Sequence, residues 1–500
     1  MLGTRLARSV VNGVADLSER TILVTAYFSG DDQSAKLDYF ERIDARLRER
    51  DARLLLINLS PKRLECRCDN LSIPYFIPYA AFFEWARLHH GLRLKEELEE
   101  AVQVEAGDLN LKVETARLKL LYFRAFMRSI LRRERPALCV LWHQFNGLHH
   151  ALVDLLNESS IPYCFAEYGP MPGMIALDRK GQMAESHVAV EAAAFRVLPV
   201  EPETLERADR YIEMVRAQKR SQRQQPSNED AIQHIREKHA QGKTVVFMAG
   251  DYGYRSGMLP PGFPRARLHS PFFESTEDAL ACVAALASKN DWHIIFKPHP
   301  LGTDAARMPD APNEHVTVMP DANAFDCVLN CDITVTILSQ VSYLALLQNR
   351  PIVLLGRNML SGQGCAYELE SKDHLESLIT QAVRDGLTSE QRETFRRHTA
   401  QLCTHYLFSM DRDVEELFGR GPVNAADFLL EMAQPCPPSE EVPDEASLSG
   451  TWGTDKDLAF PWRTRAAYAI LSFLASLFRV GVSMIPPAIK NSFSKTRRWF

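Results

Sequence analysis

The sequence predicts an α/β protein with two parallel-sheet domains of similar size that face a cleft, followed by a helical extension. Apolar, β-rich runs alternate with helical periodicity in both halves of the 500-residue chain, which is typical of mostly parallel sheets covered by helices on both faces. A polar stretch at residues 217–227 separates the halves and has the composition of a linker. After residue 390 the pattern is helical to about residue 432. A cleft between two such domains is the expected ligand site.

The first half begins with a β-rich run and continues in alternation. A long helical segment interrupts it, breaks near Gly107, and places Leu120, Phe123 and Met127 on one face. The other predicted elements are the strands Thr21–Phe28, Arg53–Leu59, Ala137–Trp142 and Pro162–Ala166 and the helices Leu37–Arg50 and Leu148–Leu156.

The alternation restarts after the linker. The predicted strands are Thr244–Met248, His293–Phe296, Ile333–Ile337 and Pro351–Leu355, and the predicted helices are Thr276–Ala287, Val341–Gln348 and Lys372–Arg384. We therefore expect a first domain at residues 1–235, a second at 236–390, a helical trailer at 391–433, a disordered tether at 434–460 and a basic amphipathic segment at 461–500.

Composition excludes several classes of protein. With 46% hydrophobic and 24% charged residues and a net charge of −6, the chain is neither disordered, collagen-like nor a polytopic membrane protein, and its acidic balance argues against nucleic acid as a partner. Ten scattered cysteines without zinc spacing predict reduced thiols and no metal site. No secretory signal is expected at residues 1–17.

The charge is unevenly distributed. Seven basic and no acidic residues follow residue 460, so the other 459 residues carry −13. The apolar run in this tail is too interrupted for a spanning helix, and an in-plane amphipathic helix on a membrane surface fits better. The alternative is a helix that docks on the body of the protein or on a partner. The candidate membrane residues are Trp462, Arg463, Arg465, Phe473, Leu474, Leu477, Arg497 and Arg498.

The loops that follow the second-domain strands contain groups suited to phosphate. Lys297 and His299, separated by Pro298 and followed by Pro300, supply cationic donors on a rigid turn. Ser339 is predicted as the N-cap of the next helix. The remaining candidates are Gly250, Asp251, Thr336 and Gln340. A Walker A loop and a dinucleotide fingerprint are both missing, which argues against kinases and NAD-dependent dehydrogenases.

In the first domain, Glu167 ends a strand next to a Gly/Pro turn, which makes it a candidate general base or nucleophile. A helix-capping or salt-bridged role is the alternative. His149 and His150 point to different sides of a helix, which disfavours a metal site. Other candidate cleft residues are Gly30, Asp31, His143, Gly169, Gly362 and Gly364.

Taken together, these motifs resemble a known family. Glu167-x-Gly169-x-x-Pro172 and Asp178-x-x-Gly181 resemble the first-domain signature of capsule polysaccharide biosynthesis proteins. The second-domain signature is matched by Lys297–Pro300, Thr336-x-x-Ser339, Ala345-Leu346 and Arg350-Pro351-Ile352-Val353-x-x-Gly356. The resemblance covers residues 136–369.

The resemblance implies a GT-B glycosyltransferase of bacterial capsule synthesis that transfers a sugar such as Kdo from CMP-Kdo, without a metal or other cofactor. His299 and Ser339 would hold the donor phosphate, Gly250 and Asp251 would lie near the nucleotide, and Glu167 would act on the sugar or the acceptor hydroxyl. The first domain would be on the acceptor side and the second on the donor side.

Three positions depart from the family pattern. Tyr168 stands where some relatives have Asp, so an Asp-based mechanism does not carry over; Gln340 replaces a small residue, and Asn349-Arg350 replaces Gly-Lys. The expected partners are a nucleotide sugar, a lipid-linked or oligosaccharide acceptor, the cytoplasmic face of the inner membrane and other assembly proteins. Transfer of a polyol phosphate from a CDP donor and a non-catalytic scaffold remain alternatives.

Overall fold

The computed structural model describes residues 20–28, 33–60, 64–74, 94–220, 226–300 and 311–433. Gly30 and Asp31, the tether at 434–460 and the basic segment, with its candidate residues from Trp462 to Arg498, lie outside the described residues. Both sheets belong to one compact unit of the chain. Below, the first lobe is residues 20–220 with 402–433, and the second lobe is residues 226–401.

The first lobe is organised around a seven-stranded sheet in the order β13-β6-β5-β4-β1-β2-β3. Strands β1 to β5 are parallel, β6 runs antiparallel to β5, and β13 runs antiparallel to β6. The strands are β1 (Arg20–Ala26), β2 (Ala52–Asn58), β3 (Asp69–Ser72), β4 (Leu138–Trp142), β5 (Tyr163–Tyr168), β6 (Met174–Asp178) and β13 (Leu407–Ser409).

Helices cover this sheet because its central strands are apolar on both faces. They are Gln33–Arg48, Glu99–Leu109, Val113–Glu134, Gly147–Glu158, His187–Val190, Ala192–Arg196, Pro202–Ala217, Arg412–Phe418 and Pro422–Met432, with 3₁₀ turns at Glu96–Leu98 and Met183–Glu185.

The second lobe contains a six-stranded, fully parallel sheet in the order β12-β11-β10-β7-β8-β9. The strands are β7 (Thr244–Ala249), β8 (Trp292–Lys297), β9 (Val316–Val318), β10 (Ile333–Thr336), β11 (Ile352–Leu354) and β12 (Tyr367–Glu368). Its helices are Glu229–Ala240, Pro264–His269, Thr276–Ala287, Ala324–Asn330, Val341–Leu347, Leu375–Asp385 and Ser389–Gln401, with 3₁₀ turns at Gly253–Arg255 and Lys372–His374.

The structure differs from the predicted domain boundaries in three places. Residue 390 falls inside the helix Ser389–Gln401, so the second lobe extends to residue 401. Residue 235 falls inside the helix Glu229–Ala240, whose Ala231 and Ile235 pack with Val245 and Phe247 of β7, so this helix belongs to the second lobe. The trailer expected to be helical contains β13, which extends the first sheet. A three-residue strand within helical periodicity is too short to give a sequence signal, because its position is set by pairing with β6.

The predicted architecture of two α/β lobes built on mostly parallel sheets is confirmed, and the chain returns to the first lobe after the second. This return begins at the π-helical turn Leu402–Tyr406. It ends with the helix Pro422–Met432, whose Ala425 and Leu429 join the core formed by Leu37 and Ile43.

Candidate active site

The candidate residues of the second lobe meet where its strand order reverses, between β7 and β10. Asp251 lies two residues after the end of β7, and Thr336 ends β10. The Thr336 hydroxyl lies 2.9 Å from the Ala249 carbonyl oxygen and 3.3 Å from Asp251 Oδ2. In open parallel sheets, ligands bind outside the carboxyl ends of the strands at this reversal. The sequence therefore places Asp251 and Thr336 at the position expected for a ligand.

Asp251 is tied into this loop by several donors. Its Oδ2 accepts from the Leu338 amide at 3.3 Å, and its own amide lies 3.2 Å from Thr276 Oγ1. Burial raises the pKa of Asp251 to about 7. The hydrogen bonds from Leu338 and Thr336 lower this pKa, but by less than burial raises it. The carboxyl group thus connects the glycine-containing loop after β7 to the loop after β10.

Gly250 brings this loop against the Lys-Pro-His-Pro turn. Its amide donates to the Lys297 carbonyl at 2.9 Å, and a Cβ at position 250 would lie 3.2 Å from that same oxygen. The His299 ring stacks on Tyr252, with centroids 6.0 Å apart and planes inclined by 23°, while Pro300 is exposed.

Lys297 occupies a different environment from His299. Its side chain is 5% exposed, its Nζ lies 3.4 Å from the Pro320 carbonyl oxygen, and burial lowers its pKa. In this structure the ammonium is shielded from solvent, so the two cationic groups expected to act together are in separate surroundings.

The prediction that Ser339 is the N-cap is wrong by one position. Gln340 is the N-cap of the helix Val341–Leu347, while Ser339 Oγ accepts from the Val341 amide at 3.4 Å. Gln340 already has helical backbone angles, and its carbonyl accepts from Tyr343. The Gln340 side chain crosses to the first lobe and donates to the Tyr168 carbonyl at 3.1 Å.

Glu167 directly precedes Tyr168, whose carbonyl accepts the hydrogen bond from Gln340. Its side chain is 7% exposed on β5, and Oε1 finds no hydrogen-bond partner among the described residues. Burial, reinforced by the nearby charge of Asp178, raises the pKa of Glu167 to about 8. A buried carboxyl with an oxygen that no donor reaches is expensive to ionise, and such groups are concentrated at catalytic sites. Among the described residues, Glu167 neither caps a helix nor forms a salt bridge.

His143 follows β4 in a left-handed backbone conformation, with φ of 75°. Its Nδ1 has no partner among the described residues, and burial lowers the pKa of His143 to about 3. His149 supports this turn: Nδ1 donates to the His143 carbonyl at 2.7 Å, and Nε2 accepts from the Thr25 hydroxyl at 2.9 Å. His149 is therefore a structural link, and a strained residue such as His143 is typical of a functional loop.

The remaining glycines serve close packing. A Cβ at Gly169 would lie 2.8 Å from the Leu407 side chain. Gly362 and Gly364 have φ of 74° and 80°, and between them Gln363 donates to the Val188 carbonyl of the first lobe at 3.3 Å. This loop therefore contacts the first lobe, at Val188.

Sequence reasoning missed the ion pairs that join the lobes. Arg255 contacts Asp108 at 3.0 Å, and Arg265 contacts Glu185 at 2.7 Å and Glu100 at 3.3 Å. Arg255 and Asp108 are 147 positions apart, and no local pattern pairs them. Sequence reasoning also missed Tyr406, whose hydroxyl donates a hydrogen bond to Asp178 at 2.8 Å, because this residue lies in a helical stretch with no motif.

Other possible binding features lie away from these residues. The described residues contain no group of three or more His, Cys, Asp or Glu side chains arranged to hold a metal ion. A surface cavity of about 410 Å³ is lined by Arg196, Val197, Glu393, Thr394 and Arg397 and includes none of the candidates. Within the described ranges, no helix has both the length and the apolar character required to cross a bilayer.

Comparison with known proteins gives one family match. Residues 265–394 match the family model described as capsule polysaccharide biosynthesis protein, whereas no curated protein sequence matches the chain. Among solved structures, the chain is similar to KpsC β-Kdo 2,7 transferase of Thermosulfurimonas dismutans (15% identity, TM-score 0.36, covering 59% of this chain and 88% of the other). It is also similar to KpsC β-Kdo 2,4 transferase of the same organism (18% identity, TM-score 0.39, covering 55% of this chain and 82% of the other).

A further similar structure is the glycosyltransferase SnogD from Streptomyces nogalater (15% identity, TM-score 0.31, covering 83% and 100%). The family match spans Lys297, His299, Thr336, Ser339 and Gln340, and it begins at Arg265. The resemblance to capsule polysaccharide biosynthesis proteins is therefore confirmed for the second-lobe segment 265–394.

Proposed function

We propose that this protein is a glycosyltransferase of capsule or related surface polysaccharide synthesis that uses a nucleotide-sugar donor, CMP-activated and with Kdo as the expected sugar. The observation that carries the proposal is the 3.1 Å hydrogen bond from Gln340 to the Tyr168 carbonyl. It joins two candidate motifs at adjacent positions: Ser339 precedes Gln340, and Glu167 precedes Tyr168. The carboxyl group and the donor loop therefore lie on the two sides of one interlobe contact.

Glycosyl transfer requires two things from such a site. The acceptor hydroxyl needs a base, and Glu167 is a buried carboxyl whose pKa of about 8 lies near the working pH. The leaving phosphate needs donors, for which we propose His299 and Ser339, together with Thr336. Contact between the lobes would exclude the water that hydrolyses an activated sugar.

Nucleotide binding tests the donor class. We expect the full chain to be stabilised against thermal unfolding by CMP and little affected by UDP. Stabilisation by CDP instead of CMP would favour transfer of a polyol phosphate, and no response to any nucleotide would favour a scaffold.

Substitution tests the residue roles. Glu167→Ala and His299→Ala are expected to abolish transfer with the fold intact, and His299→Ala is also expected to weaken CMP binding. Glu191→Gln is a matched control because Glu191 is a surface carboxylate paired with Lys180 and His187. Near-wild-type transfer by Glu167→Ala or His299→Ala would contradict that residue's assignment.

We further propose that the enzyme works at the cytoplasmic face of the inner membrane on a lipid-linked or oligosaccharide acceptor, alongside other assembly proteins. The support is the charge of +7 after residue 460, since each basic residue near anionic lipid contributes about 1 kcal/mol. Truncation after Trp452 is expected to abolish co-sedimentation with anionic vesicles. Continued sedimentation would show that the tail is not the anchor.

A further inference from the structure

Glu167 and Asp178 lie on the same face of an antiparallel strand pair. Glu167 is opposite Ala176, and Asp178 is two positions beyond Ala176 on β6. Side chains two positions apart on a strand point to the same face, and such diagonal neighbours have Cβ atoms roughly 7 Å apart. The register of β5 and β6 therefore sets a second carboxyl group beside the candidate base.

The two carboxyl groups differ completely in their hydrogen bonds. Asp178 accepts from the amides of Lys180 and His187, each at 2.7 Å, and from that of Gly181 at 3.4 Å. The Tyr406 hydroxyl donates a fourth hydrogen bond to it at 2.8 Å. Four donors therefore reach the Asp178 carboxyl, whereas none of the described residues donates to Oε1 of Glu167.

Tyr406 reaches this site from the chain return. It is the last residue of the π-helical turn Leu402–Tyr406, directly before β13. Its ring packs edge-on against Phe195, with centroids 6.4 Å apart. Pairing of Leu407 with Ala176 brings β13 alongside β6 directly after Tyr406 and two residues before Asp178, which places the Tyr406 hydroxyl within reach of the Asp178 carboxyl.

We propose that Asp178, held by Tyr406, is a positioning residue that acts through its charge on Glu167 and makes Glu167 a stronger base for the acceptor hydroxyl. This inference rests on the proposed function and adds to it the residues that tune the base. The step is a proton transfer: the acceptor oxygen loses its proton to Glu167 as it bonds to the anomeric carbon, and the nucleotide phosphate leaves with the bonding electrons.

The other polar groups described around Glu167 are uncharged, so Asp178 is the neighbouring charge that acts on the pKa of Glu167. His143, whose amide bonds to the Ala166 carbonyl, is kept neutral by burial. Gln340 and Gln182, which bond to the carbonyls of Tyr168 and Ala166, are uncharged. Among the described residues, no basic side chain forms an ion pair with Glu167, so its burial and Asp178 are the two influences on its proton affinity.

The test is the pH dependence of sugar transfer in the full chain. In the wild type, kcat is expected to rise with pH as Glu167 ionises. Asp178→Asn should move this rise to lower pH by about one to two units and lower the plateau, since a weaker base is a poorer catalyst. Tyr406→Phe should move it slightly to higher pH, because the hydroxyl no longer offsets the charge of Asp178.

Tyr343→Phe is the matched control. Its hydroxyl contacts His398 at 3.1 Å in the buried core between the lobes, and its loss should leave the profile in place. A purely structural role for Asp178 or Tyr406 would lower kcat at every pH without shifting the rise. An unshifted profile in both variants would overturn the proposal.

Infrared spectroscopy gives a readout that does not require activity. The carbonyl band of protonated Glu167 is identified as the carboxylic-acid band that is missing in Glu167→Gln. This band should disappear as pH rises in the wild type. It should disappear at lower pH in Asp178→Asn and at slightly higher pH in Tyr406→Phe. If this band shifts as expected but no sugar is transferred, the positioning role stands and the proposed function fails. If Glu167→Gln removes no such band at neutral pH, the positioning role is wrong, whatever the activity.

Discussion

Two buried carboxyl groups, Glu167 in the first lobe and Asp251 in the second, show how the same chemical group serves different purposes. Both lie at the carboxyl end of a strand, and burial raises the pKa of each, to about 8 and about 7. Asp251 accepts hydrogen bonds from Leu338 and Thr336 that hold two loops together. Glu167 has no donor at Oε1 among the described residues. The second-lobe group is part of a framework, whereas the first-lobe group has the surroundings expected of the base that we propose.

The largest expected effect is the pH dependence of stability in Glu167→Gln. Below pH 4.5 both folded and unfolded chains keep the proton on Glu167. Between 4.5 and 8 only the unfolded chain ionises, so the wild type loses stability as pH rises, by up to about 5 kcal/mol. Gln cannot ionise, so urea unfolding of the variant should lack this decline, and an identical decline would show that Glu167 ionises freely.

Breaking the pair between the lobes should have the next largest effect. Arg255→Met leaves the Asp108 side chain, 5% exposed, without its cation, and we expect a loss of about 3 kcal/mol in the free energy of unfolding. Adding Asp108→Asn should recover part of this loss. Additive losses in the double-mutant cycle would argue against coupling of the lobes through this pair.

The framework role of Asp251 predicts a loss of stability at low pH that Glu167→Gln does not share. Asp251→Ala leaves the Leu338 amide without its acceptor, and we expect a loss of about 2 kcal/mol at pH 4, where Asp251, with a pKa of about 7, is protonated in the folded chain and Glu167→Gln changes stability little. Asp251→Asn keeps an acceptor oxygen and should lose less. Stabilisation by Asp251→Ala would show that Asp251, like Glu167, does not hold the structure together through its hydrogen bonds.

The smallest expected effect is that of Gln340→Ala. The variant loses one neutral hydrogen bond between the lobes, so unfolding should change by about 1 kcal/mol or less. Sugar transfer should fall more than stability because the bond aligns Ser339 with Glu167. An unchanged transfer rate would separate this contact from the reaction.

The fold class and the second-lobe loops could be predicted because their signals are local. Asp251 lies just after one apolar strand and Thr336 at the end of another, and parallel strands bring their carboxyl ends together. The surroundings of Glu167 could not be predicted in the same way: Asp178 reaches it through an antiparallel register, and Tyr406 is 228 positions from Asp178. The N-cap at Gln340 was missed because Ser is the commoner cap, and a turn places Ser339 one residue earlier.

The return of the chain through β13 determines how the protein can be divided. A first-domain fragment ending near residue 220 would lack an edge strand of its sheet, the helix Pro422–Met432 and the ion pair between Arg42 and Glu415. Exchange of the second lobe between relatives, to change the donor, must therefore replace residues 226–401 as an insert and keep both flanking segments from one parent. Such a chimera preserves Tyr406 with Asp178, and under the proposed function it would exchange the donor-side loops without altering Glu167.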